Sequence, residues 1–295
     1  MLIFKNSQSV TSLLLVAALA SACSKFQKIL KSDDWRLRYN AAIEYYEKKA
    51  DYYRAGILLE DLVPIIRGTP EAEKAQFYWA YCHYKQGQYE TSAAEFKKFH
   101  DTYTRSIYAE EALYMHCYSL YMSSPPVHLD QKNTITAIDA FQDFINRYPK
   151  SPYAQQAASN IATLRLKLET KAFKNAKLYQ QLERYKSAVI AYDNFKKDFP
   201  DSRYQEEAAF RKIEAQYLLA SNSYLEKKRE RFNEMIQMYH AFVDKYPQSI
   251  FLRQAENLFE NAQKQLKNLA SLEAAMQKEQ EKTDKEKIKI TQSGN

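Results

Sequence analysis

Apolar and polar positions alternate along this chain with the period of an α-helix, and one stretch of that pattern is written four times. The copies cover 93–103, 137–148, 188–199 and 235–246. Each carries aromatic rings at relative positions i, i+3 and i+7: Phe96, Phe99, Tyr103; Phe141, Phe144, Tyr148; Tyr192, Phe195, Phe199; Tyr239, Phe242, Tyr246. That spacing lies on one helix face. In three copies a proline follows at once (Pro149, Pro200, Pro247) with a serine two positions later (Ser151, Ser202, Ser249), so one helix stops and the next is capped. Tyr103-Thr104-Arg105-Ser106 is the same signal without proline. A unit recurring at intervals of about 45 to 51 residues predicts stacked helix pairs, each burying its apolar face against its neighbours.

The clearest copy shows the unit whole. Residues 79–93 read as the end of a first helix, a turn at Gly87 and a second helix from about Gln88. In register with it stand Tyr89/Ser92, Thr134/Ala137, Tyr185/Ala188 and Phe232/Met235, a bulky residue three before a smaller or more flexible one, as close helix crossings require. Gly87-Gln88-Tyr89 with Ala80 and Ala93 resembles the tetratricopeptide repeat. Elsewhere the match is partial, and Arg184 is read as replacing the turn glycine. Tyr39, Ala42, Tyr52 and Ala55 suggest an earlier pair closed by Gly68-Thr69-Pro70. The expected fold is all-α: an α-solenoid of about five tetratricopeptide-like helix pairs plus a C-terminal helix.

Two segments depart from the repeat. Residues 121–133, with Pro125-Pro126, are longer than a turn needs and predict a surface loop inside the third pair. From Tyr153 to Arg184 no Gly or Pro interrupts the pattern, which allows two helices or one long bent one. After about Ala270 the chain turns to Lys, Glu and Gln, read as a disordered tail. The expected organisation is a signal peptide at 1–22, a lipidated linker at 23–34, N-terminal repeats at 35–148, C-terminal repeats at 149–268 and a charged, disordered tail at 269–295.

The leader changes the picture most. Lys5, the apolar run from Val10 to Leu19 and Ala20-Ser21-Ala22 before Cys23 form a secretory signal too short for a lasting span. Its Cys resembles the acceptor of a bacterial lipoprotein, which would make Cys23 the lipidated first residue of the mature protein. Acyl chains there would hold the protein on a membrane, facing the periplasm. Four glycines and a helix-forming composition argue against a sheet. The net charge of +7, with Lys and Glu interspersed, fits anionic headgroups or an acidic protein partner rather than nucleic acid.

Candidate chemistry is sparse. No Gly-rich phosphate loop, HExxH or GxSxG occurs. Cys82-His83 and His116-Cys117 are neighbours whose side chains diverge by about 100° on a helix, so no metal site is expected. The two cysteines read as buried thiols, with a disulfide as the alternative. Glu110-Glu111 and Glu206-Glu207 read as helix-start carboxylates. No cofactor and no enzymatic role are expected.

Taken together, the lipidated Cys, the Tyr-Pro-x-Ser repeats, the Pro-rich insertion and the long helical connection resemble the BamD family of outer-membrane lipoproteins, most of all its Bacteroidetes form. The resemblance covers residues 23 to about 265. It implies a non-catalytic scaffold of the β-barrel assembly machinery, with C-terminal repeats on a POTRA domain of a BamA-type barrel and N-terminal repeats receiving unfolded outer-membrane protein precursors. The family's Arg for the barrel contact falls at Ala191 here, so that contact does not carry over. Lys196, Lys197, Arg203 and Arg211 are the substitutes expected for an acidic POTRA surface. The alternative is another periplasmic tetratricopeptide lipoprotein coordinating envelope or division processes.

Overall fold

The computed structural model describes residues 25–293, with side chains through 285. The signal peptide and Cys23 lie outside the described residues. Among those described, all regular structure is helical: a short helix at 25–30, then α1 (Trp35–Glu47), α2 (Tyr52–Leu62), α3 (Ala72–Lys85), α4 (Tyr89–Thr102), α5 (Ala109–Met122), α6 (Lys132–Arg147), α7 (Ala154–Gln181), α8 (Tyr185–Asp198), α9 (Gln205–Ser221), α10 (Leu225–Lys245) and α11 (Leu252–Ser293). The helices α1 to α10 form the five expected pairs, and α11 follows them. The uninterrupted pattern after Tyr153 is one 28-residue helix, α7.

Among the described residues, three of the five pairs turn on a residue in the left-handed conformation. Gly87 has φ +75°, and the Gln88 N–H bonds the His83 carbonyl at 3.0 Å. Between α7 and α8 the left-handed residue is Glu183 (φ +57°), with the Arg184 N–H on the Tyr179 carbonyl at 2.9 Å. The turn glycine is therefore replaced by Glu183, not Arg184 as the sequence reading has it, because Glu183 stands two residues before Tyr185 as Gly87 does before Tyr89. Ala50 (φ +50°) does the same between α1 and α2. A side chain in this conformation costs about 1 to 2 kcal/mol, offset by the bonded helix-end carbonyls.

The aromatic triplets divide by depth. Phe96, Phe99, Phe141, Phe144, Tyr192, Phe195 and Phe242 are buried, each contributing about 1.5 to 3 kcal/mol. Tyr239 instead lies half-buried, stacked on Phe259 at 4.5 Å. The third ring of every triplet is half-buried at the helix end. There the N–H groups of Tyr103, Tyr148, Phe199 and Tyr246 bond the carbonyls of Phe99, Phe144, Phe195 and Phe242 at 2.8 to 3.0 Å. The rings of each couple pack at 5.1 to 5.7 Å.

The serines act one turn earlier than a helix cap. The hydroxyls of Ser106, Ser151, Ser202 and Ser249 accept the N–H groups of Tyr108, Tyr153, Tyr204 and Phe251 at 3.1 to 3.2 Å. For α5 and α9 the N-cap residue is that aromatic itself, Tyr108 or Tyr204. The turn aims its ring onto an aromatic of the preceding pair. Tyr108 stacks on Phe77, Tyr153 on Tyr114, Tyr204 on Phe173 and Phe251 on Phe210, at 4.5 to 4.8 Å.

The chain divides into two compact units, one to Arg165 and one from Leu166, so the division falls inside α7 rather than at 148. The first unit holds two core clusters, around Leu58, Leu59 and Ile66 and around Phe96, Phe99, Phe141 and Phe144. In the second, one cluster gathers Phe173, Tyr192 and Phe195, the other Phe210, Phe232 and Phe242.

Three segments lie outside the regular repeat. In the 23–34 linker, residues 25–30 are helical, and Phe26, Ile29 and Leu30, spaced for one face, pack on the first cluster. The insertion after α5 is tied by Gln131. Its amide donates to the carbonyls of Pro126 (2.8 Å) and Leu129 (2.9 Å), and its oxygen accepts the Thr134 hydroxyl at 2.7 Å. Residues 269–293, read as a disordered tail, instead continue α11. Leu269 is buried, Arg229 pairs with Glu273, and good helix formers run on without Gly or Pro until Gly294.

Candidate partner-binding surface

Lys196, Lys197 and Arg203 are exposed, and Arg211 is half-buried. Lys196 and Lys197 close α8; among the described residues neither makes an ion pair. The Arg203 guanidinium lies 4.9 Å over the Tyr204 ring, one of the stacking aromatics. Arg211 is engaged within α9, 3.4 Å from Glu207 and 2.9 Å from Glu214. Its spacing from those carboxylates, four and three residues, satisfies the guanidinium on its own helix. The expected group of four is therefore not one free cluster.

A cleft between α8, α9 and α10 gathers a different set. Lys196, Lys212 and Lys245 edge it, and Tyr192, Ala208, Ala209, Met238, Ala241 and Phe242 form its apolar lining, around about 110 Å³. Among the described residues Asp193 is its one lining carboxylate, and it pairs with Lys212 at 2.5 Å. Gln205, from the start of α9, donates to the Phe199 carbonyl at 2.6 Å and ties it to the end of α8. Lys212 and Lys245 were legible in principle. Lys212 stands ten residues after Ser202, as His116 does after Ser106, and Lys245 directly precedes the terminal ring Tyr246.

The first unit has the same cleft between α4, α5 and α6, with about 650 Å³, lined by Lys97, Leu113, His116, Asp139, Asp143 and Arg147 among others. His116 donates from Nδ1 to the Ala93 carbonyl at 2.8 Å, and burial holds its pKa below the usual histidine value. Nearby, Lys97 pairs with Asp101 at 2.7 Å and keeps that carboxyl below the ordinary range.

The remaining candidate groups are structural. Cys82 and Cys117 are free thiols, buried in separate clusters, and burial pushes both up to about 12. Glu110, Glu111, Glu206 and Glu207 lie in the first turns of α5 and α9. Glu206 accepts the Ser249 hydroxyl at 2.6 Å, and Glu111 accepts the Tyr81 hydroxyl. Among the described residues no helix is long and apolar enough to cross a membrane.

Against known proteins, the chain is 25% identical over 151 residues to the outer membrane protein assembly factor BamD of Rickettsia prowazekii (strain Madrid E). That match spans 51% of this chain and 59% of the relative, so the chain covers about three fifths of the relative's length. Among solved structures, the TPR2AB domain of yeast Sti1 in its pHSP90 complex aligns over 78% of this chain and 98% of its own, at 12% identity. Its TM-score of 0.35 is too low to bear on the fold. A sequence profile of the YfiO family, described as outer membrane lipoprotein, matches residues 36–232, more than half of the chain. By that match the chain, with its five helix pairs and ring-stacked repeats, belongs to the YfiO family of outer membrane lipoproteins.

Proposed function

We propose that this protein is a non-catalytic scaffold of outer-membrane β-barrel assembly, anchored through an acylated Cys23 and facing the periplasm. Its second unit docks a POTRA domain of a BamA-type barrel, and its first unit receives unfolded outer-membrane protein precursors. Family membership and the relative's printed role support the assembly reading. The observation that carries the docking surface is the cleft of the second unit, where three ammonium groups surround an apolar lining. Such a site suits an acidic surface bearing an apolar side chain. Lys197 and Arg203 extend the positive charge along the ends of α8 and the turn before α9. Arg211, held by two carboxylates, plays a supporting part.

The test is co-purification of the membrane-solubilised protein with a POTRA-containing barrel. Wild type should retain the barrel, while Lys196→Glu with Lys245→Glu should lose it progressively as salt is raised, with the helical circular dichroism unchanged. Retention by the double variant at low and high salt would reject this cleft. Absence of any barrel with wild type would favour a different envelope role.

A further inference from the structure

The lipid anchor and the docked N-terminal helix constrain each other. Phe26 is buried at 7% exposure, edge-on to Tyr45 with ring centres 5.7 Å apart, and the Arg54 guanidinium lies 5.5 Å over its ring. Cys23 precedes it by three residues, which span at most about 10 Å when fully extended. An acylated sulfur sits at the boundary between headgroups and acyl chains, beneath a headgroup layer about 5 to 8 Å thick. Little length remains once the tether has crossed that layer.

We propose that the end of the first unit around Phe26 rests on the lipid headgroups, forming a membrane-apposed face that takes the phosphates of anionic lipids. This rests on the reading of Cys23 as the acylated residue. The charge of the face agrees. Lys25 and Lys28 are exposed, and among the described residues neither makes an ion pair. Lys49 and Arg54 flank them over the rings of Tyr45 and Phe26, neutralised in part by Glu44 at 2.9 Å and Asp51 at 3.4 Å. Tyr53, beside Arg54, is 66% exposed and offers the ring with a polar tip that interfaces favour. A free linker would let the repeats swing away from the bilayer; the docked helix removes that freedom.

Amine footprinting of the full acylated chain tests this. The protein is reconstituted in vesicles of phosphatidylethanolamine and phosphatidylglycerol and treated briefly with an amine-acetylating reagent. Acetylation is then read by mass spectrometry at Lys25, Lys28 and, as a reference in the second unit, the exposed Lys264 of α11. Lys25 and Lys28 should react several-fold more slowly than in unacylated Cys23→Ser protein, with Lys264 unchanged. A long Gly-Ser insertion between Ser24 and Lys25 should restore their reactivity. Equal reactivity in protein that floats with the vesicles overturns the proposal, as does protection that survives the insertion. Failure of the wild-type chain to float with the vesicles after expression with its signal instead overturns the acylation on which the proposal rests.

Discussion

In the first unit the cleft between α4, α5 and α6 is edged by Lys97 and Arg147 on one side of the balance and by Asp139 and Asp143 on the other. In the second unit the cleft between α8, α9 and α10 occupies the same register, yet among the described residues Lys196, Lys212 and Lys245 face Asp193 alone. Beneath both run matching rings, Phe96 and Phe99 in one and Tyr192 and Phe195 in the other, all buried. Matching stacks close them, Tyr108 on Phe77 and Tyr204 on Phe173. The difference teaches where this architecture allows change. Residues that fill the space between helices recur, because lost volume costs stability; those rimming the cleft diverge, because an exposed side chain costs little to replace.

The largest expected effect tests that equality of cores. Phe144→Ala in the first unit and Phe195→Ala in the second should each lower unfolding free energy by about 3 to 5 kcal/mol in urea titrations followed by circular dichroism. A loss below about 1 kcal/mol at either would break the equivalence. Next come the turns. Gly87→Ala should cost about 1 to 2 kcal/mol, whereas Glu183→Gly, at the matching place in the second unit, should gain about 0.5 to 1 kcal/mol. Equal signs would mean that the two turns are not one device. Replacing the stacked ring in Tyr204→Leu should forfeit about 0.5 to 1.5 kcal/mol of ring pairing, and Tyr108→Leu a similar amount.

The smallest effect appears only on acidification and belongs to the first unit. His116 has a folded pKa below its unfolded one, so the unfolded chain takes up the proton first as pH falls through the ordinary histidine range. Its contribution is therefore complete at neutral pH and is lost as pH falls. His116→Gln should flatten that part of the stability profile measured by denaturant midpoints between neutral and mildly acidic pH. Lys212 stands at the same register of the second unit. A profile unchanged by His116→Gln would remove the histidine from the account.

Much of the fold was legible because it is periodic. The aromatic triplets are local, so spacing alone places Phe96, Phe99 and Phe144 on buried faces. The stacks were not legible, although Ser-x-aromatic is written four times. Each ring's partner lies in the preceding pair, as Phe77 does for Tyr108, and periodicity within one helix is silent about it. The basic surface was read in part for the same reason. Lys196 and Lys197 stand out as neighbours, whereas Lys212 and Lys245 meet Lys196 only when three helices pack. Arg211 was legible as paired, since Glu207 and Glu214 lie four and three residues away. The helical course of 269–293 is masked by polarity: Lys, Glu and Gln are strong helix formers that also mark disordered chains.

The buried thiols carry a kinetic consequence. Cys82 and Cys117 are the only cysteines beyond Cys23, and both lie in the first unit. With burial holding them protonated at neutral pH, neither attacks an electrophile while its cluster is closed. Alkylation of the native protein therefore becomes a stopwatch for transient opening, and a covalent trap that makes each opening irreversible. Cys82 times the cluster around α2 and Cys117 the one around α5. The second unit, lacking cysteine, breathes unrecorded and unharmed by such reagents.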